Sequence, residues 1–473
     1  MPVSPDYRPE KIHAALGEEF YDVVDAAEFP TRVLRHRNER WAARVGLQSL
    51  TDDEWLDHFG AFKPLPDNLP KPLALRYHGH QFRHYNHELG DGRGFLFAQL
   101  RDVADGRLLD LATKGSGLTP WSRRGDGRLT LKGGVREVLA TEMLEALGVY
   151  TSKSFSLVET GEALVRGDEP SPTRSSVLTR LSHSHIRIGT FQRLAFHQDK
   201  ASIARLLEHC IAHYLSELAN ESADRRAPEF LANVARRVAR LAAQWMVAGF
   251  VHGVLNTDNI NITGESFDYG PWRFAPHYDP EFTAAYFDEN GLYAFGRQPG
   301  ALAWNLTRLA ECLLPVAEQS ALEKALDVYE PTLQAEFAKA IARRLGLAPA
   351  DAKSDGLLAK QALEFLGKTK APYEQFFFDW RGGLASAERA RRSPSAAFYA
   401  TAEFTALRDA LAARGAAPDA RLDHPYFART APCSMLIDEV EAIWAPIAAN
   451  DDWSLFHGKL KAIDEMREAY ATD

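Results

Sequence analysis

Two copies of one tetrapeptide, Gly90-Asp91-Gly92-Arg93 and Gly125-Asp126-Gly127-Arg128, set an open backbone beside a guanidinium. Glycine lets backbone amides approach a ligand closely, and arginine meets phosphate oxygens with a planar fork. Either copy alone reads as a surface turn, because Asp-Gly is a turn dipeptide. Their recurrence among other basic residues points to anion binding. Between them, Lys114-Gly115-Ser116-Gly117 follows the apolar run Leu108–Ala112. A lysine at a strand end beside glycines can act as a point charge on a phosphate. Arg123, Arg124 and Lys132 lie close by in sequence. Arg180 and Arg187 follow among apolar neighbours, and read equally as phosphate ligands or as structural ion pairs.

The most specific signal is His252-Gly253-Val254-Leu255-Asn256-Thr257-Asp258-Asn259, with Asp268-Tyr269-Gly270 after it. Kinase-like phosphotransferases combine a His…Asp…Asn loop with a later metal-holding Asp, and a strand Lys paired to a helix Glu grips the phosphates. Here His252 to Asn259 keeps that spacing, and Asp268 stands at the metal position. Glu137, 23 positions after Lys114, opens a helical pattern and can serve the lysine. The position of the base, however, is Val254, which cannot accept a proton. Asp258 is the nearest carboxylate, and a shifted base implies shifted chemistry. Two other patterns carry little. Gly367-Lys368-Thr369 lacks the first glycine of a phosphate loop, since Ala362 stands there in a helical context. His78, His80, His84 and His87 match no zinc spacing and read as hydrogen-bonded or solvated side chains.

The elements that must hold these residues fall into two textures. From about residue 70 to 195, Phe95–Leu100, Leu108–Thr113, Ser154–Glu159, Ala163–Arg166 and Ser176–Arg180 read as strands. Val135, Val138, Leu139, Met143, Leu144 and Leu147 recur at helical spacing, with Gly148 as a stop. From about 200 the pattern is helical, with one apolar stripe from Ile203 to Leu218 and another from Val234 to Met246. Residues 301–315, 320–345, 355–367 and 400–414 are Ala/Leu-rich helices. A loop-rich island at 251–300 interrupts them. The predicted fold class is α+β, with a mixed lobe over 1–195 and a helical lobe over 196–473.

Composition sets the frame. The chain has 473 residues, 45% hydrophobic and 25% charged, which excludes disorder and allows about three domain equivalents. Its 55 Lys+Arg against 64 Asp+Glu give a net charge of −9, which counts against a general nucleic-acid binder. Cys210, Cys312 and Cys433 are isolated, so neither a disulfide framework nor a structural zinc site is expected. No signal peptide, transit peptide or membrane span is read, and a cytoplasmic location is expected.

Taken in order, Gly79-His80-Gln81-Phe82, Leu89-Gly90-Asp91-Gly92-Arg93, Lys114 to Pro120, Ser122 to Arg128, Ser184-His185-Ile186-Arg187 and His252 to Asn259 resemble the selenoprotein O (YdiU) family. Asp268-Tyr269-Gly270-Pro271 and Trp304 to Ala310 extend the resemblance, which is strong over about 70 to 315. It implies a protein-kinase-like two-lobed pseudokinase fold, with a β-rich N-lobe, a helical C-lobe and a C-terminal helical extension. It implies transfer of AMP from ATP to Ser, Thr or Tyr hydroxyls of proteins, the chain itself included, with ATP inverted relative to ordinary kinases. Asp258 would be the base. Lys114, oriented by Glu137, would hold phosphates, and Gly90, Gly92, Arg93, Asp126 and Gly127 would line the nucleotide pocket. Arg180 and Arg187 would clamp the buried phosphate end. Asn259 and Asp268 would bind Mg²⁺, or Mn²⁺ in its place. No nucleic-acid or membrane partner is implied.

The sequence departs from the family at Arg83 and Asn86, at Trp272, and around His424–Cys433. Its last residues, Met466 to Asp473, contain no terminal cysteine or selenocysteine, so a redox switch there is not expected. Two other readings compete: a kinase that transfers the γ-phosphate, and a non-catalytic ATP-binding scaffold. A scaffold would not need Asp258, Asn259 and Asp268 together.

Overall fold

Strand Leu108–Lys114 is buried along its whole length, its leucines and alanine as expected at the centre of a sheet and its Asp110, Thr113 and Lys114 buried with them. The structure is a computed structural model and describes residues 3–167 and 169–471. Around that strand lies a nine-stranded sheet. Its order is Tyr21–Val23, Leu73–Leu75, Leu96–Arg101, Leu108–Lys114, Thr173–Ser182, Lys153–Leu164 and Val33–Arg37. Pro9–Glu10 pairs onto Leu96–Arg101, and Leu129–Thr130 onto Thr173–Ser182. The fold is thus mixed α and β, with one large antiparallel sheet and many helices.

Register decides what the sheet presents. Leu178 pairs with Lys114 and Arg180 with Ala112, so Lys114 and Arg180 project from the same face of neighbouring strands. Helix Leu131–Ala146 covers that face. It starts at Thr130, whose hydroxyl accepts from the Gly133 N–H, and it buries Val135, Val138 and Leu139 against Leu157 and Leu178. The opposite face is closed by Trp41, Trp55, Phe59, Phe95, Phe97 and Phe155.

Close approach of this helix to the sheet depends on Gly134. A Cβ there would stand 2.4 Å from Leu157 Cδ1 and 2.8 Å from Ser176 Oγ. We expect Gly134→Ala to destabilise the protein by about 1–2 kcal/mol, overpacking outweighing the roughly 1 kcal/mol of helix propensity gained. A lower urea midpoint at unchanged m would register it; an unchanged or higher midpoint would contradict it.

Helix Ala223–Ala248 ends at Gly249, which takes the left-handed conformation (φ 69°). The chain then forms Phe250–Val251, paired antiparallel with Arg273–Phe274. The residues between these short strands hold the His252–Asn259 loop. The last helix, Ser454–Tyr470, returns to the first half of the chain, where Arg467 pairs with Glu142. Among the described residues, no helix is long and apolar enough to cross a membrane.

Several expected boundaries shift. Ser154–Glu159 and Ala163–Arg166 are not two strands: one strand, Lys153–Leu164, covers the first and the start of the second, with a bulge between Glu159 and Ala163 at Gly161 (φ 77°), and leaves Val165 and Arg166 outside. The expected helix over 320–345 is split into Gln319–Leu326 and Tyr329–Arg344, because Pro331 can sit only in the first turn of the second. The stripe expected to run to Leu218 ends as α-helix at Tyr214. At 400–414 a 3-10 turn, Ala402–Phe404, precedes helix Thr405–Ala412.

Candidate functional site

A cavity of about 670 Å³ opens beside the sheet face that carries Lys114 and Arg180. Gly90, Gly92, Arg93, Lys114, Asp126, Gly127, Arg180, Arg187, Asp258 and Asp268 all line it. Residues up to 178 positions apart in sequence therefore meet in one place. Glu137 does not line it; it lies behind Lys114 and pairs with its ammonium. Asn259 is half-buried and does not line it.

Asp268 is the electrostatic centre. Its Oδ1 lies 3.0 Å from Lys114 Nζ and 3.2 Å from Arg180 Nη1, and its Oδ2 lies 3.4 Å from Arg187 Nη1. Lys114, Arg180 and Arg187 are 5%, 5% and 2% exposed. Burial favours the neutral acid, but these three cations hold Asp268 well below the usual carboxylate range. Its φ of 65° is left-handed, a sparsely populated conformation fixed here by the ion-pair cage. Arg187 precedes helix Ile188–Phe196 and is anchored three further ways. It pairs with Asp91 at 3.3 Å, donates to the Asp258 carbonyl at 3.0 Å, and stacks on the Tyr77 ring at 4.2 Å.

Asp258 is the opposite case on the same cavity. It is buried, and its Oδ1 has no hydrogen-bond partner among the described residues. Burial pushes its carboxyl up to about 7, with Arg187 pulling the other way and Asp268 adding to the rise. Two carboxylates with pKa values driven apart on one cavity are the physical mark of divided acid–base roles.

The loop that holds Asp258 is tied at both ends. His252 Nε2 contacts the Phe267 carbonyl at 2.9 Å, joining the start of the loop to the residue before Asp268. The His252 N–H donates to Gln298 Oε1, and Asn305 Nδ2 donates to the Leu255 carbonyl. A 3-10 turn, Thr257–Asn259, then directs Asp258 to the cavity.

The glycine loops form the other wall. A Cβ on Gly90 would lie 2.3 Å from the Trp121 ring, so the loop can pack there only as glycine. Gly127 has φ 70° and faces the Gly117 carbonyl. Asp126 is held by Arg166 through a two-pronged contact at 2.8 and 3.1 Å. Arg93, Arg123 and Arg124 are exposed at this wall and form no ion pair among the described residues. The acidic protein thus carries a strongly cationic cavity, suited to a polyphosphate.

Sequence reasoning missed Asp91 and Tyr77, which hold Arg187. Asp91 sits inside the Gly-Asp-Gly-Arg repeat, but a carboxylate in a phosphate pocket offers no obvious reason to be chosen. The histidines behave as expected: His78 Nδ1 contacts the Tyr85 hydroxyl at 2.9 Å, and His80 Nδ1 contacts Gln192 Nε2 at 2.7 Å. Among the described residues, no group of three His, Cys, Asp or Glu side chains is placed to hold a metal ion. The donor set at the cavity does fit a hard divalent cation that is completed by phosphate oxygens. Asp258 Oδ1 lacks a partner and Asp268 faces the cavity; Asn259 lies outside the lining, its amide NH₂ on the Val254 carbonyl and its amide oxygen the one donor it would offer.

A family model described as protein adenylyltransferase SelO matches residues 5–464. The chain is 51% identical over 376 residues to the protein nucleotidyltransferase YdiU of Synechocystis sp., covering 78% of each chain. It is 44% identical over 465 residues to that of Trichormus variabilis (95% of this chain, 94% of the relative). The Gloeobacter violaceus relative is 43% identical over 477 residues (98% and 96%). The chain is therefore a nucleotidyltransferase and belongs to the protein adenylyltransferase SelO family.

Proposed function

We propose that the protein transfers AMP from ATP to Ser, Thr or Tyr hydroxyls of protein acceptors, itself among them, on a kinase-like two-lobed fold. Residues 1–195 act as the N-lobe and 196–473 as the helical C-lobe. ATP lies inverted, its β- and γ-phosphates at the buried Arg180 and Arg187 and its α-phosphate toward the acceptor. Lys114, oriented by Glu137, grips the phosphates, and Gly90, Gly92, Arg93, Asp126 and Gly127 line the nucleotide. The acceptor hydroxyl attacks the α-phosphorus and gives its proton to Asp258. The new O–P bond forms as the bond to pyrophosphate breaks, and pyrophosphate leaves. Asp268 and Asn259 hold Mg²⁺ or Mn²⁺, which when bound neutralises phosphate charge.

One observation carries this reading. A buried carboxylate with an unpaired Oδ1 and its pKa raised to about 7 shares a cavity with three buried cations that converge on a second, strongly acidic carboxylate. A general base works best with a pKa near the operating pH, and the cations match a polyphosphate. The test is the small product. With ATP, a divalent metal and a protein acceptor, pyrophosphate should accumulate in step with modified acceptor. ADP in its place would mean γ-transfer, and neither product would mean a non-catalytic nucleotide binder.

A further inference from the structure

We infer that Gly79, with the hairpin it opens, is the positioning element for Asp258; this rests on Asp258 being the base. Gly79 is not in a left-handed conformation, so what it supplies is space. A Cβ at Gly79 would stand 2.9 Å from Asp258 Oδ1, 3.1 Å from Asp258 Cβ and 3.2 Å from Leu89 Cδ1. Any side chain there must move the carboxylate. Leu89, itself buried, crowds the same Cβ, so the added methyl would meet two buried side chains.

The hairpin also grips the two residues before Asp258. Strands Gly79–Gln81 and His84–Asn86 pair antiparallel, and the His80 N–H donates to Thr257 Oγ1 at 2.7 Å. The Phe82 N–H donates to Asn256 Oδ1 at 3.0 Å. Thr257 Oγ1 in turn donates to Gln192 Oε1, and Gln192 Nε2 returns to His80 Nδ1, closing a ring of contacts. Asn256 and Thr257 are buried, and each has a second partner besides the hairpin, Tyr293 on Asn256 Oδ1 and Gln192 on Thr257 Oγ1, which keeps both side chains in place to receive it. The turn itself puts Phe82 (φ 48°) and Arg83 (φ 65°) in the left-handed region, where Asn-Gly is the usual pair. Two bulky residues hold that conformation because Phe82 packs on Tyr293 at 5.0 Å and Arg83 lies over Trp304 at 5.6 Å. The turn is thus kept against its local preference by Tyr293 and Trp304, while its Phe82 N–H holds Asn256 of the catalytic loop.

The test is Gly79→Ala, alone and combined with Asp258→Ala. A displacement of a few tenths of an ångström in a reacting group should lower kcat about tenfold, toward the hundredfold expected of a 1 Å error. KM for ATP should stay unchanged. In the Asp258→Ala background the same substitution should not slow the residual rate further, and it should lower Tm less than in wild type. Thr257→Val should reproduce the kcat loss, and Thr257→Ser should restore it. If Gly79→Ala keeps wild-type kcat while Asp258→Ala removes activity, the inference is wrong and the base assignment stands. If Gly79→Ala slows both backgrounds equally and lowers both Tm values equally, Gly79 is merely structural and the inference is again overturned. Full activity in Asp258→Ala alone would remove the base assignment, and the inference with it.

Discussion

Replacing Asp258 with asparagine is expected to lower the rate of AMP transfer about a hundred- to ten-thousandfold, the range for loss of a general base. ATP affinity should hardly change, because among the described residues the ion pairs of Lys114, Arg180 and Arg187 at the cavity go to Glu137, Asp91 and Asp268 rather than to Asp258. The wild-type enzyme should show kcat/KM rising about tenfold per pH unit below 7 and levelling above it, as the carboxyl of the free enzyme loses its proton. The variant should lose that limb. Stability gives an independent check with a definite sign. With a folded pKa of about 7 against an ordinary 3.8, the unfolded chain binds fewer protons between those values. The stabilising contribution of this group is therefore full below about pH 4 and is lost as pH rises through 7. Asp258→Asn should raise Tm relative to wild type at pH 8 and give no such gain at pH 4. A variant with wild-type kcat, or one whose Tm advantage grows on acidification, would contradict the assignment.

Asp268→Ala is expected to have the second large effect, on chemistry and on the free protein together. Loss of the carboxylate proposed to hold metal should cost several kcal/mol in the transition state, about a thousandfold in rate. The free protein should also suffer, because Lys114, Arg180 and Arg187 would converge with no shared anion. We place that cost at about 3 kcal/mol, the lower end for breaking a buried ion pair, since the Asp268 side chain keeps 22% exposure. Supplying ATP without metal should narrow the Tm gap to wild type, because the phosphates replace the missing charge. Thermal melts of both proteins with and without ATP would measure this. A variant as stable as wild type in the absence of nucleotide would show that the three-cation cage does not depend on Asp268.

Much of this site was legible because its signals are local. Lys114 ends an apolar strand, Glu137 falls on an apolar helical face, and the order from His252 to Asn259 is continuous in sequence. The structure places the first two in contact, and of the third it brings Asp258 to the cavity that Lys114 lines, while Asn259 lies outside the lining. What was not legible depends on distance or on absence. Val33–Arg37 reads VLRHR, too polar to announce a strand, yet it forms the sheet edge by pairing with Lys153–Leu164. Gly161 reads as a turn but marks a bulge, because one strand continues on both sides of it. Asp91 holds Arg187 across 96 positions, a pairing that no spacing encodes. Gly79 matters for the side chain it lacks, and only the neighbouring Asp258 shows why.

The central claim is that the α-phosphate of ATP, not the γ-phosphate, reaches the acceptor hydroxyl. The most direct measurement incubates the enzyme, a divalent metal and a protein acceptor with ATP labelled at either the α or the γ position. We predict label on protein from α-labelled ATP only, lost in Asp258→Asn and in Asp268→Ala. Label on protein from γ-labelled ATP, with none from α-labelled ATP, would contradict the account.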